Sequence, residues 1–225
     1  MAHLQGNKPT DDSNKYGLKF DSEKSRWSLL PIEQVMNVVR MFNSDLLDID
    51  IKKFHREDLI NSIFSDISFY KKRTSQEKAK IMRAVAFKMF FLLRNKPYTK
   101  EELERSSYPF RWDLLDIKDL EGVVNVYTMG AKKYAPNNWQ KVSEERYYDA
   151  LIRHFNTIRT PNRYDSELGC LHAHQVIWNA LSLMWLNSQI PEEILKAAKK
   201  IKQAPSIMIK PVKKKIVKKR VGKKK

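Results

Sequence analysis

Five side chains able to bind a metal ion or move a proton fall within 21 residues: His154, Asp165, Glu167, His172 and His174. Divalent cations that serve phosphate chemistry take carboxylate oxygen, with imidazole acceptable to the softer metals. A helix–loop–helix that gathers His154, Asp165, Glu167 and His172 could therefore hold such an ion. His174 points about 200° around its helix from His172, so the two do not readily share a ligand face. Cations suited to phosphate oxygens lie close by in sequence: Lys132 and Lys133 in GAKKYAPNNW, then Arg146 and Arg153 in EERYYDALIRHF. Arg146, Asp149 and Arg153 follow an i, i+3, i+7 stripe. The competing reading pairs Asp149 with one of those arginines at the surface and leaves the histidines as hydrogen-bonding groups at helix ends.

His172, Gln175 and Asn179 form a second stripe at the same spacing, on a helix otherwise made of Val176, Ile177, Trp178, Leu181, Leu183 and Met184. Such a helix does not bury three polar side chains without partners. No Walker-type phosphate loop, dinucleotide glycine fingerprint or zinc-finger spacing occurs, and the Ser and Cys residues lack a convincing nucleophile setting. The single Cys170 excludes an intramolecular disulfide framework and a cysteine-only zinc site, which fits a reducing cytosol.

The elements that must position these groups are helical. Helix-spaced apolar residues predict helices over 32–42, led by Pro31 in the first turn, and over 56–72, burying Leu59, Ile60, Ile63, Phe64, Ile67 and Tyr70. A third runs over 75–94 with Ser75 as its cap, and a short one over 98–106 pairs Thr99 with Glu102. The next covers roughly 116–134, softened at Gly122 and Gly130, and Ser143 caps the one that carries His154. A long helix starts near His172, and Pro191 opens a last short one. No alternating β-branched run bounded by turns is present. The fold class is all-α.

Charge is unevenly spread. Residues 210–225, KPVKKKIVKKRVGKKK, hold ten of the cations behind a formal net charge of +17, leaving +7 on residues 1–209. A tail of that composition is expected to be disordered by self-repulsion and to contact nucleic acid or another polyanion. The most apolar run, AVAFKMFFLL at 84–93, is about half the length a bilayer requires and includes Lys88, and the N-terminus lacks a signal-peptide core. A cytoplasmic protein without membrane contact is expected.

The chain also repeats itself. RWSLLPIEQVMNVVRMF at 26–42 returns 85 positions later as RWDLLDIKDLEGVVNVY at 111–127, with seven of 17 positions identical. Trp27 and Trp112 read as core anchors, and Val38/Val39 match Val123/Val124, which argues for duplicated packing.

Five segments in order carry a family resemblance: KFDSEKSRWSLLP at 19–31, GAKKYAPNNW at 130–139, RYYDALIRH at 146–154, DSELGCLH at 165–172 and WNAL at 178–181. The chain resembles the phage and bacterial dATP/dGTP diphosphohydrolases, grouped with all-α, MazG-like nucleotide pyrophosphohydrolases. It departs from that pattern in three ways. Residues 32–110 intervene between the head and its continuation, Gln175 stands where a further His is often found, and the MazG-like carboxylate set is not present in its usual form.

The resemblance implies hydrolysis of a purine deoxynucleoside triphosphate to monophosphate and pyrophosphate, with Mg²⁺ or Mn²⁺. In a phage-encoded protein this would occur in the host cytoplasm. His154, Asp165, Glu167 and His172 would serve the metal or the attacking water. Lys132, Lys133, Arg146 and Arg153 would bind phosphate, and Asn138, Trp139 and Asn179 the rest of the substrate. The implied layout is a flexible segment over 1–16 and a helical bundle over 17–205. That bundle would contain an insertion or degenerate duplicate at 32–110 and the motif-bearing half at 111–190, followed by a Lys-rich tail over 206–225. Dimers or tetramers are the assemblies such helical enzymes form. The alternative is a non-catalytic relative, either a scaffold that binds nucleic acid through its tail or a nucleotide-binding regulator.

Overall fold

The computed structural model describes residues 24–44, 55–94, 96, 99, 101–102 and 111–189. The segments read as a loose N-terminus, a last helix after Pro191 and a basic tail lie outside them. Among the described residues there are six α-helices and no strand, only an isolated bridge between Tyr164 and Leu171. We number the helices α1 (Ile32–Ser44), α2 (Arg56–Phe69), α3 (Ser75–Arg94), α4 (Ile117–Lys133), α5 (Glu144–Thr157) and α6 (His172–Ser188).

Several boundaries follow from local chemistry, and some differ from expectation. Thr74, not Ser75, caps α3. Its hydroxyl accepts from the Glu77 N–H while Glu77 takes the Thr74 N–H at 3.0 Å, a reciprocal box that satisfies two otherwise unpaired donors. The same exchange joins Thr99 and Glu102, as their spacing predicts. Pro31 stands just before α1 rather than within it, its carbonyl accepting from Gln34 and Val35. Asp116 caps α4 through the Lys118 N–H at 2.9 Å, whereas Ser143 precedes α5 without a side-chain bond. Helix α2 tightens into a 3₁₀ turn at Tyr70–Lys72, and Phe64 lies on its outer side, 52% exposed.

α6 is apolar nearly all round, so it has to be covered on every side. α3, α5 and α4 pack against it, while α2 and α1 pack on α3. α3, from the stretch between the two sequence copies, is thus a principal neighbour of α6. Polar ties hold the layers in register: Lys78 to Glu144 between α3 and α5, Lys88 to Asp66 between α3 and α2, each at 2.6 Å. Asn187 of α6 donates to the Tyr70 hydroxyl at 2.9 Å, and the Tyr70 ring stacks on Tyr148 of α5.

The repeated sentence makes a repeated structure. Arg26 and Arg111 take φ/ψ of −93°/82° and −92°/60°, each opening a 3₁₀ turn closed by two backbone bonds, and a helix follows in both cases. Leu29/Leu30 and Leu114/Leu115 are buried, and Val38, Val39, Val123 and Val124 are fully so. Burying each of those valines contributes about 1.5–3 kcal/mol. The tryptophans are not anchors: Trp27 is 42% and Trp112 38% exposed. The first turn docks on α4, where the Arg26 N–H donates to Thr128 Oγ1 at 2.8 Å and Ser25 Oγ to Asn125 Oδ1 at 2.6 Å.

α4 runs unbroken through Gly122, and the reason for the glycine lies on α6. The ring of His174 rests on its backbone, so that a Cβ there would lie 2.1 Å from Cε1, while His174 Nε2 is 3.4 Å from Asp119 Oδ1. Gly122→Ala is expected to destabilise the fold by roughly 1–3 kcal/mol in chemical denaturation. His174→Ala in the same chain should recover part of that loss, since the steric conflict belongs to the pair. Additive losses would show that the ring is not the obstacle.

Candidate functional site

α5 ends in a turn whose inner side chain, His154, is buried. The chain then reverses through 158–171 and re-enters as α6, placing buried His172 at its first position. The reversal is fixed by backbone bonds: Asp165 N–H to the Cys170 carbonyl at 2.8 Å, Gly169 N–H to the Asp165 carbonyl at 2.8 Å, and His172 N–H to the Arg163 carbonyl at 3.0 Å. Gly169 supplies the left-handed residue this turn requires, at φ +64°.

The turn also aims the carboxylate. Asp165 Oδ1 accepts from the Glu167 and Leu168 N–H groups at 3.0 and 2.8 Å, and Oδ2 lies 3.9 Å from His154 Nδ1. His154 Nδ1 and His172 Nδ1 face each other at 2.9 Å. One ligand atom from each of His154, Asp165 and His172 lies within 4.8 Å of the other two. Two ligands at right angles about 2.1 Å from one ion stand about 3 Å apart, so the facing nitrogens fit a shared cation. Without one, a proton must lie between them, and His172 Nε2, itself buried, has no partner among the described residues.

Electrostatics favours the unprotonated ring of His154. Burial, then the neighbouring His172 and Arg153, depress the pKa of His154 to about 4, against a smaller upward pull from Asp165. A neutral imidazole is the form that binds a metal. Nearby, burial raises the pKa of the Cys170 thiol, with the Asp165 charge adding to it, so this cysteine stays an inert thiol.

Of the four expected ligands, three converge. Glu167 instead pairs with Lys133 across an exposed contact, side chains 66% and 49% exposed, a setting in which an ion pair adds little stability. Lys132, Arg146 and Arg153 are exposed, and Asp149 forms no ion pair with either arginine among the described residues. His174 faces α4, away from the centre. Asn138 opens a 3₁₀ turn, and Trp139 is packed edge-on between Tyr127 and Trp185 at 5.3 and 5.0 Å. Its carbonyl accepts the Tyr147 hydroxyl, so Trp139 positions elements here. Asn179 is fully buried; its amide donates to the Gln175 carbonyl at 2.7 Å, and its oxygen has no partner among the described residues.

Sequence reasoning missed a cleft of about 330 Å³ beside this centre, which includes Arg56 of α2, Leu92 and Leu93 of α3, and Thr160 and Arg163 of the reversal. Arg163, two residues before Asp165, was within reach of a spacing argument. Arg56, far away in sequence, carried no signal.

The class these observations define is an all-α protein with a buried two-histidine, one-carboxylate cluster at a helix–loop–helix junction. Residues 99–195 match the family described as dATP/dGTP diphosphohydrolase, N-terminal. A protein of Salmonella phage PMBT28 named dATP/dGTP diphosphohydrolase is 33% identical over 78 residues, 35% of this chain and 27% of that protein. The chain thus matches about a quarter of that relative's length. No solved structure matches. No described helix is long and apolar enough to cross a membrane.

Because His154 binds a proton less readily folded than unfolded, stability should rise with pH across the interval from about 4 to 6.5. In chelator-treated protein the loss on acidification through that window should be on the order of 2–3 kcal/mol. Urea titrations at several pH values should show a shallower slope for His154→Gln. An unchanged slope would place the titration elsewhere.

Proposed function

We propose that the protein hydrolyses dATP or dGTP to the monophosphate and pyrophosphate, and that His154, Asp165 and His172 hold the divalent cation this requires. The observation that carries the reading is the pair of buried Nδ1 atoms at 2.9 Å beside the carboxylate of Asp165. The family match over residues 99–195 and the name of the phage relative support the substrate class. An imidazole-rich ligand set suits Mn²⁺ better than Mg²⁺, which prefers oxygen. A cation bound there would neutralise phosphate charge and acidify water.

The chain's own groups divide the remaining work. Asp165, its Oδ1 fixed by two backbone N–H groups, presents Oδ2 without reorganisation. His154 stays neutral through the working pH range. The positive charge of Arg153, felt at His154, together with Arg146 and Lys132, suits the triphosphate, and Lys133 and Glu167 can part when it arrives. In the reaction, water oxygen bonds to the α-phosphorus and its proton passes to solvent, the bond to the bridging oxygen of the β-phosphate breaks, and pyrophosphate leaves with the electron pair. Asn138 and Asn179 remain candidates for substrate contact, and Trp139 supports the turn beside them. The all-α architecture is compatible with kinship to MazG-like enzymes, and the relative's source suggests phage nucleotide metabolism. A nucleic-acid contact through residues 210–225 would add to this activity without replacing it.

The test is pyrophosphate release from each deoxynucleoside triphosphate with Mg²⁺ or Mn²⁺. Asp165→Ala should lose roughly 100-fold or more in kcat/KM. Glu167→Ala should lose less than about 10-fold, as expected for an exposed ion pair. Truncation after residue 209 should leave turnover intact. Wild-type protein that releases no pyrophosphate from any of the four substrates would reject the reading.

A further inference from the structure

We propose that the cleft between the start of α2, the end of α3 and the reversal after α5 binds the nucleoside triphosphate. Arg56 and Arg163 would take its phosphates, and the α3 wall its nucleoside. This inference rests on the reading of the protein as a deoxynucleoside triphosphate hydrolase and adds residues that neither the motif pattern nor the family match contains. Arg56, Leu92 and Leu93 all precede the matched segment 99–195.

Size comes first. About 330 Å³ falls at the low end of the roughly 300–1,000 Å³ typical of small-molecule sites, enough for one nucleotide and too little for a strand. Chemistry comes second. Among the described residues two arginines and no acid line the cleft, and neither arginine forms an ion pair. Guanidinium groups bind phosphate oxygens bidentately. The Thr160 hydroxyl sits between them in the chain, held by the Thr157 carbonyl at 2.8 Å. The lining also includes the aliphatic side chains of Leu92, Leu93 and Ile158. An anion with an apolar body satisfies both halves, whereas a bare inorganic phosphate would use only one.

Position comes third. Ile158 donates its N–H to the His154 carbonyl at 3.1 Å, and the Arg163 carbonyl accepts from His172 at 3.0 Å. Leu171 and Ala173, on either side of His172, also line the cleft. Backbone neighbours of both imidazoles therefore form its wall, so a ligand seated there lies beside the proposed centre. The earlier candidates Lys132 and Lys133, in the last turn of α4, are not among its lining residues, although Lys133 reaches Glu167 of the same reversal. Helices α2 and α3 would then do more than brace α6: they would supply half of the substrate's surroundings.

The experiment uses full-length protein carrying Arg56→Gln, Arg163→Gln or both, surface changes whose folding is checked by circular dichroism. Steady-state kinetics with dATP and dGTP is paired with calorimetry using an α,β-methylene dATP analogue, inorganic tripolyphosphate and Mn²⁺ alone. Each single change should raise KM and the analogue Kd about 10-fold, and the double change more, as expected for loss of a charge-assisted contact. kcat and Mn²⁺ affinity should stay within about 3-fold of wild type. Tripolyphosphate should bind more weakly than the analogue; equal affinity would overturn the nucleoside half of the assignment. Unchanged KM and Kd in the double variant, with wild type active, would overturn the cleft and leave the proposed activity standing. Wild type that binds the analogue through these arginines but does not turn over dNTPs would do the reverse. Wild type that binds neither anion would overturn the cleft as well.

Discussion

A helix with hydrophobic side chains on nearly every face cannot end up at a surface, and α6 is such a helix. Its residues Val176, Ile177, Ala180, Leu181 and Leu183 are fully buried, so the chain has to supply cover from several directions at once. α3, α4 and α5 do this. The placement of the polar residues follows from the same demand. Once α6 is enclosed, His172, Gln175 and Asn179 are enclosed with it, and each needs a partner from what surrounds it.

The duplicated segment answers part of that demand. Both copies use the same local solution, an Arg-Trp-x-Leu-Leu 3₁₀ turn that inserts two leucines and sets the direction of a helix. The copies then serve different neighbours. α4 lies against α6, whereas α1 packs mainly on α3, and the head of the first copy rests on the helix of the second through Arg26 and Thr128. Local backbone geometry is set by local sequence, and the two copies retain it almost unchanged. Long-range contacts are set by what each helix finds to bury, and there the copies diverge.

At the junction of α5 and α6 the same enclosure becomes chemical. Two imidazoles are removed from water and burial makes that of His154 resist protonation, a carboxylate held by two backbone donors keeps one oxygen turned toward them, and an arginine nearby reinforces the depressed basicity of His154. Lys133 and Glu167, by contrast, pair with each other at the exposed surface. The difference between these groups is not residue type but solvent: burial couples charges that water would screen.

The sequence by itself determined the all-α class, the approximate helix limits, the repeat and the neighbourhood of His154, Asp165 and His172. Each of these depends on periodicity or on residues near one another in the chain. It could not determine which way Trp27 and Trp112 face, because that depends on the neighbours each turn docks against, which for the first turn lie on α4. Nor could it explain Gly122, whose constraint is a histidine ring on another helix, or assign Glu167, whose distance from the imidazoles depends on how a glycine at φ +64° turns the loop. Tertiary structure alone brought Arg56 of α2 to the cleft beside the centre. Local propensity governs each helix, but which helices meet is decided by the need to cover α6 on all sides.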